Sequence, residues 1–209
     1  MTGIARGEAP HWLDVSRETL NLLDALLSLV EKWNPAINLV AAGSLNDAWN
    51  RHVLDSAQLY AFIPAEAGAV ADFGSGAGFP GLVLAIIAKA VRPELNVTLI
   101  ESDRRKAAFL AQAARNLGLT TRVLTDRAET LPPLSADVIS ARAFAPMPDL
   151  CALAHRHLAP DGVAIFPKGA KAEAELAEAA RTWRFDCAQS PSKTDPAGRI
   201  ITLKSLHHA

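Results

Sequence analysis

Apolar residues follow two different spacings along this chain. In the first third they recur every three or four residues, a pattern typical of amphipathic helices, and they predict a helix over residues 15–33. A second helix is predicted from just after Ser44 to Phe62, because Ser44 and Asp47 have the spacing of a capping box. From residue 69 onward, short β-rich runs alternate with helical segments. Strands are predicted at 69–73, 96–101, 121–124, 136–141 and 162–166, and helices at 79–90, 104–117, 147–158 and 170–182.

This alternation of strands and helices predicts an α/β fold. The expected architecture is a doubly wound, mostly parallel, Rossmann-like sheet of seven strands, with a ligand crevice at the carboxyl ends of the strands. Two closing strands, near 184–189 and 199–204, complete the seven as an antiparallel edge pair. We therefore expect residues 1–66 to form an N-terminal helical extension that packs on a sheet domain of residues 67–209.

The clearest candidate site is an apolar run that ends in an acid and then in crowded glycines. Asp72 is followed by three glycines at alternate positions, Gly74, Gly76 and Gly78. Such a loop lets a nucleotide-like ligand lie against the backbone, because glycine has no Cβ. A dinucleotide motif also fits Gly76, Gly78 and Gly81. Since the acid precedes the first glycine, where a pyrophosphate would be repelled, the pattern favours S-adenosylmethionine as the cofactor.

Acidic residues after the next two strands extend this pocket. Glu101 ends the second strand, and a carboxylate at that place can accept both hydroxyl groups of a ribose. A purely structural role at the following helix N-terminus is the alternative, but Asp103 is already placed for it. After the third strand, the loop that contains Ala128 and Glu129 is placed to reach the amino edge of an adenine.

Composition sets the bounds for these interpretations. The chain has 209 residues, half of them apolar, and a formal net charge of −1. Its apolar stretch near the glycines, residues 82–88, is too short to span a bilayer, and no secretory pattern precedes it, so a cytoplasmic protein is expected. Cys151 and Cys187 have no metal-binding spacing, and we expect two reduced, buried thiols and no metal site.

Four sequence blocks together resemble one known family. They are W-N-x-x-x-N-L at residues 33–39, R-H-x-L-D-S at 51–56, D-x-G-x-G-x-G-F-P-G at 72–81 and S-A-R-A-F at 140–144. Lys168 and Gly169, after the fifth predicted strand, form a weaker fifth block. The chain resembles the bacterial 16S ribosomal RNA guanine-N7 methyltransferases, the glucose-inhibited division protein B family. One departure is Phe79, where an aliphatic residue also occurs in the family.

The resemblance implies both an activity and a set of cofactor contacts. The activity is methyl transfer from S-adenosylmethionine to N7 of a guanine in the 530 loop of 16S ribosomal RNA. The substrate is then expected to be RNA in a small-subunit particle, acted on by a monomer, and residues 67–209 would be the methyltransferase domain. The implied cofactor contacts are Gly74, Phe79, Ala128, Glu129 and Arg142; Asp72, Gly76, Gly78 and Glu101 are added from the pattern of the residues.

The chemistry of guanine N7 agrees with a site that has no evident acid–base pair. N7 has a free lone pair and carries no proton at neutral pH, so no general base is needed and no catalytic side chain is assigned. Proximity and orientation can supply the rate enhancement. Methylation at pyrimidine C5 would instead need a cysteine nucleophile in a loop, whereas Cys151 falls in a predicted helix and Cys187 in a late strand.

Five polar residues are candidate contacts to the RNA or to loops that close over the cofactor: Asn38, Arg51, His52, Arg142 and Lys168. The guanidinium of Arg142 could position both the cofactor and the target base. His52 could equally be a buried, hydrogen-bonded histidine. For Asp55, capping or pairing with Arg51 one turn earlier is as probable as a functional role.

Two other functions are compatible with the same residues. One is an enzyme that methylates a small molecule or uses a nicotinamide cofactor in the same crevice, and the other is a non-catalytic RNA-binding or assembly module. The net charge of −1 counts against RNA binding, because phosphate contacts normally require a basic surface. Local clustering of cations, such as Arg104, Arg105 and Lys106 at the start of one helix, could supply that surface.

Overall fold

The computed structural model of the protein describes residues 9–209. Its seven strands are β1 (Ala69–Phe73), β2 (Asn96–Ile100), β3 (Arg122–Leu124), β4 (Ala136–Ala141), β5 (Leu158–Lys168), β6 (Trp183–Pro191) and β7 (Arg199–His208). They form one sheet in the order β3-β2-β1-β4-β5-β7-β6. The first five strands are parallel, and β7 lies antiparallel between β5 and β6. The predicted α/β fold and its antiparallel edge pair are confirmed.

Helices cover both faces of this sheet. They are α1 (Arg17–Ile37), α2 (Asp55–Ala57), α3 (Gly81–Val91), α4 (Arg104–Asn116), α5 (Met147–His157) and α6 (Ala172–Ala179). Neighbouring residues of β4 show how the two faces are separated: Val138 packs in the core with α1, α3 and α4, whereas Ile139 packs in the core with α5 and α6. Because side chains alternate along a strand, a strand covered on both faces is apolar along most of its length.

The first helix begins and ends at residues that suit its termini. The hydroxyl group of Ser16 accepts a hydrogen bond from the backbone N–H of Thr19, as an N-cap residue does. At the other end Asn38 adopts a left-handed conformation, with φ of 48°, and its N–H donates to the carbonyl of Asn34. These caps explain why the helix spans 17–37 and not the shorter 15–33 of the sequence pattern.

The second helix predicted from the sequence is instead a series of short helical segments. Two 3₁₀ segments, Ala42–Asp47 and Gln58–Phe62, flank a π segment, Trp49–Leu54, and the short helix α2. The expected capping box is wrong, because Ser44 lies inside the first segment and donates its hydroxyl hydrogen to the carbonyl of Ala41. A π segment widens the helix locally and is frequent at functional sites. Here it carries Arg51 and His52.

The N-terminal helices share a hydrophobic core with the sheet. Leu23, Leu26 and Val30 of α1 are fully buried in the same cluster as Val70 of β1. The division into an extension of residues 1–66 and a domain of residues 67–209 stays a prediction, and residues 1–8 of it lie outside the described part. None of the helices within residues 9–209 combines the length and apolar character needed to cross a membrane.

Candidate functional site

Asp72 supports the glycine loop from inside the protein. The carboxylate is fully buried, and it accepts hydrogen bonds from the N–H of Gly81 at 3.1 Å and from the hydroxyl of Ser140 at 2.7 Å. Burial raises its pKa to about 6 despite these bonds. Asp72 therefore joins the ends of β1 and β4 beneath the loop, and it is not among the residues that line the cavities described below.

Two glycines of the loop lie where a side chain would not fit. Gly74 has φ of 65°, and a Cβ there would lie 2.1 Å from ring atom Cδ2 of Phe144. Gly78 has φ of 88°, and a Cβ would lie 2.4 Å from Cδ1 of Leu82. Both positions require glycine for conformation and for space. The loop thus passes close to the aromatic ring that follows β4.

Glu101 fastens the loop to the end of β2. Its Oε2 accepts the N–H of Gly76 at 2.9 Å, and its Oε1 accepts the N–H of Asp103 at 2.8 Å. A carboxylate has about four acceptor positions, so two backbone bonds leave capacity for a ligand. Asp103 caps α4, accepting from the N–H groups of Arg105 and Lys106, which is the role expected for it.

A cavity of about 440 Å³ opens above these residues, at the carboxyl ends of β1 to β4 and beside α5. We call it the loop cavity; its lining includes Gly74, Glu101, Asp126, Ala128, Glu129 and Phe144. This volume is within the usual range for a small-molecule site. Four of the predicted cofactor residues therefore meet here: Gly74, Glu101, Ala128 and Glu129. Gly76, Gly78 and Phe79 belong to the loop but do not line the cavity, so their cofactor contacts stay predictions.

A second, larger cleft of about 1060 Å³ lies next to the loop cavity. We call it the basic cleft, because four cations outnumber three acids in its lining: Arg51, Arg142, Lys168 and Arg199 against Asp55, Glu175 and Asp195. Phe144 and Ala145 line both spaces and form the border between them. Three of the predicted substrate residues, Arg51, Arg142 and Lys168, are thus brought together by the fold.

Arg142 is held in place by several neighbours. Nη1 donates to the carbonyl of Arg51 at 2.9 Å and to Oδ2 of Asp55 at 3.2 Å. Nη2 lies 3.1 Å from Nδ1 of His52, and the guanidinium carbon lies 5.6 Å from the ring centroid of Phe79. Arg142 is therefore oriented before any ligand binds. It lines the basic cleft and not the loop cavity, so its predicted cofactor contact stays a prediction.

His52 lies behind Arg142 as a neutral, buried side chain. Since an arginine N–H can only donate, Nδ1 accepts, and Nε2 carries the ring proton towards Ser44 Oγ at 2.9 Å. Burial, followed by the charges of Arg142 and Arg51, lowers the pKa of His52 to about 4. His52 lines neither space, so it acts on the cleft through Arg142.

Asp55 pairs with Arg142, whereas one of the alternatives predicted for it is a pairing with Arg51. Its Oδ1 accepts from the hydroxyl of Thr194 at 2.9 Å and from Nε2 of Gln58 at 3.0 Å. The loop between β6 and β7 is thereby bound to the N-terminal helices. Three distant parts of the chain meet at this one carboxylate, and together they shape the basic cleft.

Lys168 and Asn38, two of the predicted substrate residues, differ in their placement. Nζ of Lys168 donates to Oε2 of Glu175 at 2.7 Å and to the carbonyl of Ala145 at 3.0 Å. Lys168 therefore lines the cleft and also fixes the backbone after Phe144. Asn38 is exposed at the C-cap of α1 and is absent from the lining of both spaces, so its RNA contact stays a prediction.

The cysteines differ from the expectation in one respect. Cys151 is buried, and burial raises its pKa to about 12, so it is a protonated thiol at neutral pH. Cys187 is exposed on the edge strand β6, which corrects the expectation of two buried thiols. Both are free of disulfide bonds. Among residues 9–209 no three histidine, cysteine or acidic side chains are grouped as a metal site would require.

Three contributors to the site are not predicted from the sequence. Phe144 has no role there beyond its motif block, Thr194 has none, and Ser44 is predicted only as a helix cap. A large aromatic two positions after the strand-end Arg142 is the sequence signal that could have suggested Phe144. Nothing local signals that Thr194 lies against Asp55, since 139 positions separate them.

The strand order and the strand-end cavity define the protein as having the fold of S-adenosylmethionine-dependent methyltransferases. A TehB-like S-adenosylmethionine-dependent methyltransferase from Corynebacterium glutamicum matches with a TM-score of 0.58 and 17% identity over 86% of this chain and 97% of its own. An O-methyltransferase from Bacillus cereus, solved with S-adenosylhomocysteine, matches with a TM-score of 0.58 and 14% identity over 88% and 91% of the two chains.

The chain belongs to the family described as GidB, rRNA small subunit methyltransferase G, whose model matches residues 19–197. A relative in Cereibacter sphaeroides, ribosomal RNA small subunit methyltransferase G, is 51% identical over 196 residues, which are 94% of this chain and 95% of the relative. The resemblance found from the four sequence blocks is confirmed.

Proposed function

We propose that this protein transfers a methyl group from S-adenosylmethionine to N7 of a guanine in the 530 loop of 16S ribosomal RNA. The observation that carries the proposal is the border shared by the loop cavity and the basic cleft. A cavity suited to a nucleoside-like donor opens beside a cleft lined by four cations, Arg51, Arg142, Lys168 and Arg199. Donor and acceptor can therefore meet at Phe144 and Ala145.

The residues of the loop cavity fit S-adenosylmethionine. Glu101 keeps free acceptor capacity that suits ribose hydroxyl groups, and the side chains of Ile100 and Leu153 offer apolar walls to a base. Asp126 and Glu129 provide acceptors for an adenine amino group. When bound, the cofactor supplies an electrophilic methyl group on a sulfonium. The glycine loop and Glu101 would then orient it, because the two are already bonded to each other.

The protonation state of the nearby groups supports an acceptor that needs no general base. Both nitrogens of His52 are occupied, and its low pKa keeps it neutral and behind Arg142. Asp55 is engaged by Arg142, Thr194 and Gln58. Guanine N7 has a free lone pair at neutral pH, whereas a hydroxyl or an exocyclic amine must lose a proton. The role left to the protein is orientation, which can contribute roughly 7–11 kcal/mol in well-aligned systems.

The distribution of cations supports an RNA substrate despite the net charge of −1. Arg142 and Lys168 are paired with carboxylates, whereas Arg51 is exposed at the mouth of the basic cleft. Arg104 and Arg105 are also exposed at the start of α4, beyond the end of β2. A basic surface of this limited size suits RNA presented in a small-subunit particle, where its fold is already formed, and we propose that a monomer binds it.

Methyl transfer to defined substrates tests this proposal. The purified protein is incubated with labelled S-adenosylmethionine and with three substrates from a strain that lacks the gene: naked 16S RNA, precursor particles and mature small subunits. Mass spectrometry of nuclease fragments then locates the label. We expect 7-methylguanosine in the 530-loop fragment, with the particle as the better substrate. Arg142→Ala should reduce the label strongly, whereas Arg181→Ala, at an exposed surface ion pair, should not.

Other outcomes would identify the alternatives. Label on another base, or on a small molecule and not on RNA, would replace the guanine-N7 assignment with a different methyl acceptor. Tight binding of S-adenosylmethionine with no transfer to any of the three substrates would favour a non-catalytic assembly module. Calorimetry with S-adenosylmethionine and with NAD would reveal a nicotinamide enzyme if only NAD bound.

A further inference from the structure

Phe144 is a large apolar side chain that the fold leaves exposed at the border of the two spaces. It is 39% exposed, and among the described residues only Val91, at 55%, is a more exposed large hydrophobic. Val91 ends α3 and lines neither space, whereas Phe144 lines both the loop cavity and the basic cleft. A single exposed hydrophobic side chain is common on protein surfaces; Phe144 differs from Val91 because its ring faces the two spaces in which the proposed ligands would lie.

The backbone holds this ring in a defined place. Ala143, just before it, adopts φ of 51°, a conformation that costs an L-residue free energy. The ring then lies over the backbone of Gly74, which is why a Cβ at Gly74 would overlap it. The strain at Ala143 is maintained because residues on both sides are anchored.

These anchors are Arg142 and Lys168, two of the four cations that line the basic cleft. Arg142, two positions before Phe144, is bonded to Arg51, His52 and Asp55, and the carbonyl of Ala145 accepts from Nζ of Lys168. The segment 142–145 is thus fastened at each end, with the aromatic ring presented between them. A flat apolar face flanked by guanidinium and ammonium groups suits a nucleobase attached to a phosphate backbone.

We propose that Phe144 is the stacking platform for the methyl-accepting base, which leaves its RNA stack and enters the border between the two spaces. The inference rests on the proposed RNA methyl transfer and adds the residue that binds the base. Stacking on an aromatic ring is insensitive to the identity of the base, so Phe144 provides affinity and orientation. The ring also prevents the base from sliding into the loop cavity.

Kinetics of ring-removing and ring-keeping variants test this proposal. Phe144→Leu keeps an apolar side chain without the flat face, and we expect its kcat/KM for the small subunit to fall about 10- to 100-fold. Its dissociation constant for S-adenosylmethionine, measured by calorimetry, should stay within about threefold. Phe144→Trp and Phe144→Tyr keep an aromatic ring and should retain most of the wild-type kcat/KM. Val91→Ala, at the other exposed hydrophobic, is the matched control and should behave as wild type.

Two kinetic results would overturn the proposal. If Phe144→Leu weakens S-adenosylmethionine binding by the same factor as it lowers kcat/KM, the ring is a wall of the cofactor site only. If Phe144→Leu methylates as fast as wild type, the ring does not bind the base. In both cases Phe144→Leu is compared with the wild-type enzyme on the same small-subunit substrate.

Photocrosslinking locates the base that touches residue 144. p-Benzoylphenylalanine, which keeps an aromatic ring, is placed at position 144 and, as a control, at position 91. After irradiation on small subunits, reverse-transcription stops should fall at the methylated nucleotide for position 144 and be absent for position 91. Stops remote from that nucleotide would overturn the proposal. If wild type methylates a nucleotide outside the 530 loop, the proposed function is wrong, whereas stops at that nucleotide still support Phe144 as its platform.

Discussion

The imidazole ring of His52 stacks on the phenyl ring of Phe79, with centroids 5.1 Å apart and planes 19° from parallel. Phe79 belongs to the glycine loop and His52 to the π segment of the N-terminal helices. The contact therefore joins the loop that borders the proposed cofactor site to the side chain that orients Arg142. Phe79 itself is buried, so its side chain supports this arrangement from beneath.

Stability should depend on pH through His52. Its pKa falls from 6.5 to about 4 on burial, so between these values the unfolded chain binds a proton that the folded protein does not. Stability from this group is fully present above pH 6.5 and decreases as the pH falls towards 4, by on the order of 2–3 kcal/mol. His52→Asn removes the titrating group and keeps an acceptor near Nδ1.

Urea denaturation of both proteins between pH 7 and pH 4.5 measures this difference. Wild type should lose more free energy of unfolding than His52→Asn over the interval. Other groups, Asp72 included, are common to the two proteins and cancel in the comparison. Parallel curves for the two would mean that the pKa of His52 is the same in the folded and unfolded states.

Replacing Arg142 by lysine should impair transfer more than folding. Lysine cannot donate to Arg51, His52 and Asp55 with the geometry of a guanidinium fork. We expect kcat to fall about 100-fold, as for a misplaced positioning group. The free energy of unfolding should fall by only about 1–2 kcal/mol, because the pair with Asp55 is partly exposed. Single-turnover methyl transfer and urea denaturation give the two values, and proportionate losses would indicate a purely structural arginine.

Gly74→Ala should lower the affinity for S-adenosylmethionine. The new Cβ would lie 2.1 Å from ring atom Cδ2 of Phe144, and φ of 65° strains any L-residue. The loop must then move where Gly74 lines the cavity, and we expect at least about a tenfold rise in the dissociation constant by calorimetry. Gly43→Ala, with no atom within 4 Å of its Cβ, is the control. Unchanged affinity in Gly74→Ala would place the cofactor elsewhere.

Glu101→Gln should weaken both the loop and the cofactor site. The two carboxylate oxygens accept from Gly76 and Asp103, and a glutamine would turn its NH₂ group towards one of those N–H donors. Losing one such bond to a charged acceptor should cost about 1.5–3 kcal/mol of stability. Affinity for S-adenosylmethionine should fall as well.

The exposed Glu94, changed to glutamine, serves as the comparison, since its side chain is 68% exposed in an ion pair with Arg92. Thermal denaturation and calorimetry of the two variants separate a local effect from a general loss of charge. Equal behaviour of Glu101→Gln and Glu94→Gln would contradict the assignment of Glu101.

Much of the architecture follows from local pattern. Apolar runs predicted all seven strands, although β5 extends to Leu158–Lys168, because Leu158 pairs with β4 at its start and Pro167 and Lys168 pair with β7 at its end. The glycine loop and Glu101 were also identified from sequence, since a strand-end acid before crowded glycines is a local feature. The predicted single helix after Ser44 is wrong. The helical spacing is correct, but the residues form 3₁₀ and π segments, and the hydrogen bond from Nε2 of His52 to Ser44 Oγ links two of them.

The sequence by itself determined the order of strands and helices, the glycine loop and the family, because periodicity, glycine conformation and motif spacing act over a few residues. Only the tertiary structure decided that Asp55 pairs with Arg142, 87 positions away, and receives Thr194, 139 positions away. It also decided that Phe144 stands between two spaces. These contacts depend on how the N-terminal helices and the β6–β7 loop pack against the sheet edge, and no local spacing encodes that packing.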